Sequence, residues 1–196
     1  MYPYLRLALT VFQAARAPAI APGGATIIKT RCWPWDADPF LELNNGRHLT
    51  LFDLGRFAFG MRFGLLPVLR QRRWSLVVGG STTQYRRRIR LFERFEILTR
   101  CLARDEKWFY FEQITLSRGK PCSAAFVRTA VVAGPKGTVP TQEVMTALGQ
   151  DHWYGTLPDW ASALETADRS RPWPPIDPQN SDPQGCAPQV SSSASQ

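Results

Sequence analysis

Histidine is nearly missing from this 196-residue chain, which has only His48 and His152, and none of its four cysteines, Cys32, Cys101, Cys122 and Cys186, forms a Cys-x-x-Cys pair. With no ligands at metal-binding spacing, zinc is excluded as an organising element. Sparse, unpaired cysteines also point away from a disulfide-stapled secreted domain and toward a reducing, cytoplasmic setting. No internal repeat, no alternation of strand and crossover helix, and no recognised nucleic-acid motif is present. The chain also lacks an apolar run of the ~20 residues that a membrane span requires. The nearest approach, residues 4–16, carries Arg6 within it and makes a poor signal peptide.

What is present argues for one packed domain with tails. Hydrophobic residues make up 44% and aromatics 12%, with seven tryptophans, which is enough to bury a core. The 16 prolines cluster toward the ends, and lysine plus arginine outnumber the acids for a formal charge of +8. That surplus favours anionic partners, among them nucleotide phosphates, nucleic acid and acidic lipid headgroups, without choosing between them.

Along the chain, residues 4–16 read as a helix with Leu5, Ala8, Leu9 and Phe12 on one face. Packing of that helix on the domain is the favoured expectation, and peripheral contact of residues 4–16 with a membrane surface is the sharper one. An Ala/Pro/Gly linker follows, and then the β-rich stretch 25–33, stopped by Pro34. From Gly46, apolar residues recur at helical intervals through Leu65, describing a long helix buried on most sides. Strands are expected over 74–78, 82–89, 92–102, 108–116 and 122–132, separated by Gly79-Gly80 and by two charged turns. A long helix followed by consecutive strands indicates an α+β fold with an antiparallel sheet. A short helix is expected over Thr141 to Gly149, and a disordered Pro/Ser-rich tail from residue 168.

The most informative segment runs from Trp35 to Leu49. It places the acidic loop Asp36-Ala37-Asp38-Pro39 and the break Asn44-Asn45-Gly46 directly before the long helix. Peptide N–H groups at a helix start lack intrahelical partners, so a carboxylate beside them is a plausible acyl-transfer site. Read without further context, Asp36 and Asp38 are turn and cap residues.

The wording of this segment, Asp36-Ala37-Asp38-Pro39 followed by Asn44-Asn45-Gly46-Arg47-His48-Leu49 and Asp53-Leu54-Gly55-Arg56, resembles hotdog-fold acyl-CoA thioesterases of the 4-hydroxybenzoyl-CoA thioesterase-like group. The resemblance covers roughly residues 25 to 135. It implies a single hotdog fold, an antiparallel sheet wrapped around a long central helix, assembled as a homodimer or higher oligomer with the thioester site at the subunit interface. It further implies hydrolysis of a fatty or aromatic acyl-CoA to free acid and CoA, without metal or organic cofactor. Asp38 matches the family's catalytic carboxylate, as nucleophile or general base. Asp36 matches a supporting position.

Backbone N–H groups near Asn45, Gly46 and Arg47 would then form the oxyanion site. His48 and Asp53 stand as support or alternatives, since some hotdog thioesterases use an acid from the central helix; the plain expectation for Asp53 is an ion pair with Arg56. Arg86, Arg87, Arg88, Arg118 and Lys120 are candidates for the CoA phosphates, although arginines in a strand would alternate faces. The expected organisation is an N-terminal helix and linker (1–24), the hotdog domain (25–135), an extension with a short helix (136–167) and the tail (168–196). A non-catalytic acyl-CoA-binding or scaffold protein of the same fold is the first alternative. A basic nucleic-acid-binding module ranks behind it.

Overall fold

The computed structural model describes residues 2–172, in two compact units that divide between Leu157 and Pro158. In the first unit, helix α1 (Tyr4–Arg16) leads to strand β1 (Ala25–Arg31), helix α2 (Asn45–Arg62) and helix α3 (Leu65–Arg72). Strands β2 (Ser75–Tyr85), β3 (Arg94–Arg104), β4 (Phe109–Ser117), β5 (Lys120–Val132) and β6 (Thr138–Val139) follow, and then helix α4 (Thr141–Ala147). The second unit begins with helix α5 (Asp159–Ser170).

The sheet is antiparallel with strand order β1-β3-β4-β5-β2, and β6 pairs with the end of β5. Helix α2 crosses the inner face of this sheet. Gly55 permits the closest approach, because a Cβ there would collide with the Thr99 hydroxyl and lie 2.9 Å from Gln113 Nε2. Along the helix, Arg62 donates to Thr26 of β1 at 2.9 Å, the Phe59 ring meets Phe111 of β4 edge-on at 5.3 Å, and His48 reaches Ser123 of β5 at 3.1 Å. Leu51, Phe52, Leu54 and Phe59 are buried against Ile97, Phe111, Val127 and Val131. The helix is therefore wrapped by the sheet, as a hotdog fold requires.

Several local expectations are corrected. The glycine pair Gly79-Gly80 does not separate two strands. It is a β-bulge within continuous β2, where the register to β5 shifts between Val78 and Gly80. Trp108 fills the space that a Cβ on Gly79 would need. The expected strand 82–89 ends at Tyr85, so Arg86 to Arg88 lie in a loop. Residues after Leu65, expected to turn toward strand, form α3 instead. Pro67 sits in its first turn, where a missing N–H costs nothing.

The N-terminal helix occupies its expected residues, but it docks through the other face. Leu7 and Ala14 turn toward the domain, while Leu5, Leu9 and Phe12 are exposed. Helix α4 starts at Thr141, with Pro140 rather than Thr141 as its N-cap. The last helix, α5, had no sequence expectation and carries the chain as helix to Ser170, past the point where a tail was expected. The rest of that expected tail lies outside the described residues. Among the described residues no helix is long and apolar enough to cross a membrane.

Candidate active site

Between β1 and α2 the chain makes a 3-10 turn at Pro34–Asp36 and a small hairpin. The Asp38 N–H donates to Glu42 O at 2.8 Å, and Ala37 bridges Leu43. Main-chain bonds from Leu43 N–H to Ile89 O and from Leu91 N–H to Leu41 O, both 2.8 Å, fasten this hairpin to the loop after β2.

The two aspartates of the motif have different surroundings. Asp36 is fully buried. Its Oδ2 accepts from Arg6 Nη2 at 2.6 Å and from the Trp33 N–H at 3.1 Å; its Oδ1 accepts from Arg47 Nη2 at 2.9 Å and Nε at 3.2 Å. This carboxylate ties α1, the loop and α2 together. Asp38 is half-buried, and its Oδ1 accepts from the N–H groups of Phe40 at 2.9 Å and Glu42 at 3.3 Å. Its Oδ2 accepts no hydrogen bond among the described residues.

At the start of α2, Asn44 is the N-cap, and its side-chain oxygen accepts from the N–H of Gly46 at 2.9 Å and of Arg47 at 3.3 Å. Two of the three expected oxyanion donors are thus engaged by the cap itself. His48 is buried. Its Nδ1 is 3.1 Å from Ser123 Oγ, which is in turn 2.7 Å from Thr115 Oγ1, and its ring meets Tyr85 edge-on at 5.1 Å. Burial lowers its pKa to about 4, so the ring is neutral near pH 7.

A second polar group lies farther along α2. Asp53 pairs with Arg56, which also donates to Gln113 Oε1; Gln113 Nε2 donates to Phe52 O at 2.8 Å and to Thr99 Oγ1 at 2.9 Å. The expected Asp53 to Arg56 pair is therefore present. Its connection through Gln113 to the sheet was missed, because Gln113 arrives from β4 and its only sequence signal is one amide within an otherwise strand-like apolar run. Burial raises the Asp53 pKa against the opposing pull of Arg56. Both side chains line a cavity of about 210 Å³ whose other walls are mostly apolar, among them Phe57, Phe59, Leu65, Leu76 and Val77.

The arginine loop makes a third feature. Arg86, Arg87, Arg88, Arg90, Arg118 and Lys120 line one cavity of about 540 Å³ against the single carboxylate of Glu93. The alternation that a strand would impose does not apply, because these arginines follow the end of β2. Arg88 additionally pairs with Glu42 at 3.2 Å.

A sheet wrapped on a long helix, with a helix carboxylate at an apolar cavity, defines a hotdog-fold protein of the thioesterase type. The model of the thioesterase-like superfamily matches residues 32–174, and the chain belongs to that family. It is similar to Protein THEM6 of Xenopus laevis, 37% identical over 115 residues, which are 56% of this chain and 54% of that protein. It is similar to Protein THEM6 of Drosophila melanogaster, 34% identical over 76% of this chain and 71% of that one. The match spans only about half the length of the frog relative and 50% of the Danio rerio one.

Solved structures share the fold at low identity. A probable thioesterase from Bartonella henselae aligns with TM-score 0.55 and 20% identity, covering 60% of this chain and 98% of that one. A Staphylococcus aureus protein solved in complex with CoA aligns with TM-score 0.59 and 12% identity, covering 71% of this chain and 91% of that one. A 1,4-dihydroxy-2-naphthoyl-CoA thioesterase from Synechocystis aligns with TM-score 0.56 and 11% identity, covering 64% and 96%.

Proposed function

We propose that the protein hydrolyses acyl-CoA thioesters to free acid and CoA. The observation that carries this reading is the Asp53 carboxylate, made more basic by burial, among the residues that line a mostly apolar cavity. Apolar walls suit an acyl chain, and a carboxylate of raised pKa at the thioester end can take a proton from attacking water. The Arg56 guanidinium beside it supplies positive charge where the oxyanion develops. Asp38, with Oδ2 open, is the second candidate for the same step, as nucleophile or base.

Strand β2 is an edge of the sheet, 11 residues long, and its Val77 and Val78 are 40% and 52% exposed. An edge strand of this length is a template for pairing, and its apolar end, Leu76, Val77 and Val78, also walls the acyl cavity. We assign a homodimer to this edge. Within one copy, Val77 lies about 26 Å along the strand from Tyr85, the residue that leads into the arginine loop. Antiparallel pairing of two copies would bring the arginine cavity of one alongside the acyl cavity of the other, where Arg86, Arg87, Arg88, Arg118 and Lys120 would meet the CoA phosphates.

Purified protein assayed for thiol release over a panel of acyl-CoAs tests the proposal. Asp53→Asn should lower kcat by roughly 10²- to 10⁴-fold. Loss with Asp38→Asn alone would move the chemistry to the loop. If wild type releases no thiol yet binds acyl-CoA, the protein is a non-catalytic binder. That second reading is favoured by one observation, the Asn44 side chain occupying the helix N–H groups that an oxyanion would need.

A further inference from the structure

At the end of the molecule where α2 begins, neighbouring loops turn large apolar side chains outward. Trp35, Phe40, Leu41 and Phe92 are 66%, 82%, 61% and 52% exposed. They belong to adjoining segments. The Trp33 and Trp35 rings stack at 5.6 Å, Trp33 meets the Phe92 ring edge-on at 6.4 Å, and the Phe92 N–H donates to Cys32 O at 2.7 Å. Leu41 and Phe92 have φ of 58° and 62°, a left-handed conformation that bulky residues rarely adopt. The cross-loop hydrogen bonds hold both in that conformation while leaving their side chains in water.

Cations surround this patch on both sides. Arg90, two residues before Phe92, lines the arginine cavity, whose single carboxylate is that of Glu93. Arg118 belongs both to that cavity and to a second depression whose lining includes Arg31, Trp33 and Arg94 along with the ion pair Lys29–Glu96. Protruding Trp, Phe and Leu bordered by guanidinium groups match the layering of a bilayer interface, where aromatic and aliphatic groups enter the headgroup boundary and arginines meet lipid phosphates. A nucleic acid would make no use of Leu41, and Trp33 and Trp35 already spend a ring face on each other.

We propose that this end of the molecule is a peripheral docking surface for an anionic lipid bilayer, with Trp35, Phe40, Leu41 and Phe92 entering the interface and Arg31, Arg90 and Arg94, none of which is assigned to CoA, on the headgroups. The inference stands apart from the hydrolytic reading. It is also distinct from membrane contact through α1, whose outward stripe of Leu5, Leu9 and Phe12 is a separate surface.

Sedimentation of the full chain with phosphatidylcholine vesicles, with and without phosphatidylserine, tests it. The chain should sediment with the phosphatidylserine vesicles, and each of Arg31, Arg90 and Arg94 changed to Ala should weaken binding about fivefold. The triple variant Trp35→Ser/Phe40→Ser/Phe92→Ser should abolish sedimentation while keeping the wild-type melting temperature and the wild-type rate on a water-soluble short-chain acyl-CoA. Trp35→Ser alone gives a milder loss if the triple variant folds poorly. Any of four results overturns the inference: no wild-type sedimentation; loss only with Leu5→Ser/Leu9→Ser/Phe12→Ser; a change of oligomeric state in the loop variant, which would make the patch a contact between copies; or binding to single-stranded RNA in place of vesicles.

Discussion

The two motif aspartates, two residues apart, have unlike roles, and the difference lies in who donates to them. Asp36 has no solvent and two partly buried arginines, so removing it would take this shared partner from both and should cost about 3 kcal/mol. Asp38 accepts only main-chain bonds and keeps an open oxygen. His48 is the residue whose state can be read most directly by titration. Its folded pKa is depressed to about 4 from an ordinary value of 6.5, so protonation favours the unfolded chain. Its contribution is present above pH 6.5 and is lost as pH falls toward 4. Between pH 7 and pH 5 this single group should cost about 2 kcal/mol of stability, measured by urea unfolding. His48→Asn should flatten that part of the pH profile; an unchanged slope would show that the ring is not buried in its neutral form.

Among the elements, α2 carries the most structure and the most chemistry. Its apolar periodicity was legible in the sequence, but the face that meets the sheet was marked by a glycine rather than by a large side chain. Gly55→Ala would drive a methyl group into Thr99 and Gln113 and should destabilise the fold by about 2 kcal/mol despite the better helix propensity of alanine. Gly60→Ala, on the same helix, meets the Leu66 side chain at 3.3 Å and the Leu65 Cβ at 3.9 Å and should be near neutral. Equal urea midpoints for the two variants would contradict this packing. The strands were legible from their β-branched and aromatic residues. The bulge at Gly79 was not, because a glycine pair reads identically as a turn and as a place where Trp108 must fit. For α1, the same apolar stripe that predicted packing faces solvent, since the Arg6 bond to buried Asp36 sets the rotation of the helix.

At the scale of the whole molecule, the proposed homodimer forms along the exposed edge β2. Val78→Lys places a charge on that edge at an already exposed position, so the fold should persist while a dimer measured by light scattering becomes a monomer. Acyl-CoA hydrolysis should fall with it, because the acyl cavity and the arginine cavity would no longer adjoin. A wild type that is monomeric at working concentration would remove the assignment.

Sequence alone determined the single hotdog fold, the long helix, most strands and the family, because periodicity and the acidic-loop wording are local properties of the chain. It also named the basic residues that gather at one end, while placing them in a strand that would have scattered them. Only the tertiary structure decided that Arg86 to Arg88 form one cavity, that Asn44 caps the helix N–H groups, and that Asp53 stands at an apolar cavity with Gln113 behind it. Those outcomes depend on contacts between residues tens of positions apart, which are fixed when the sheet closes on the helix and have no local signature.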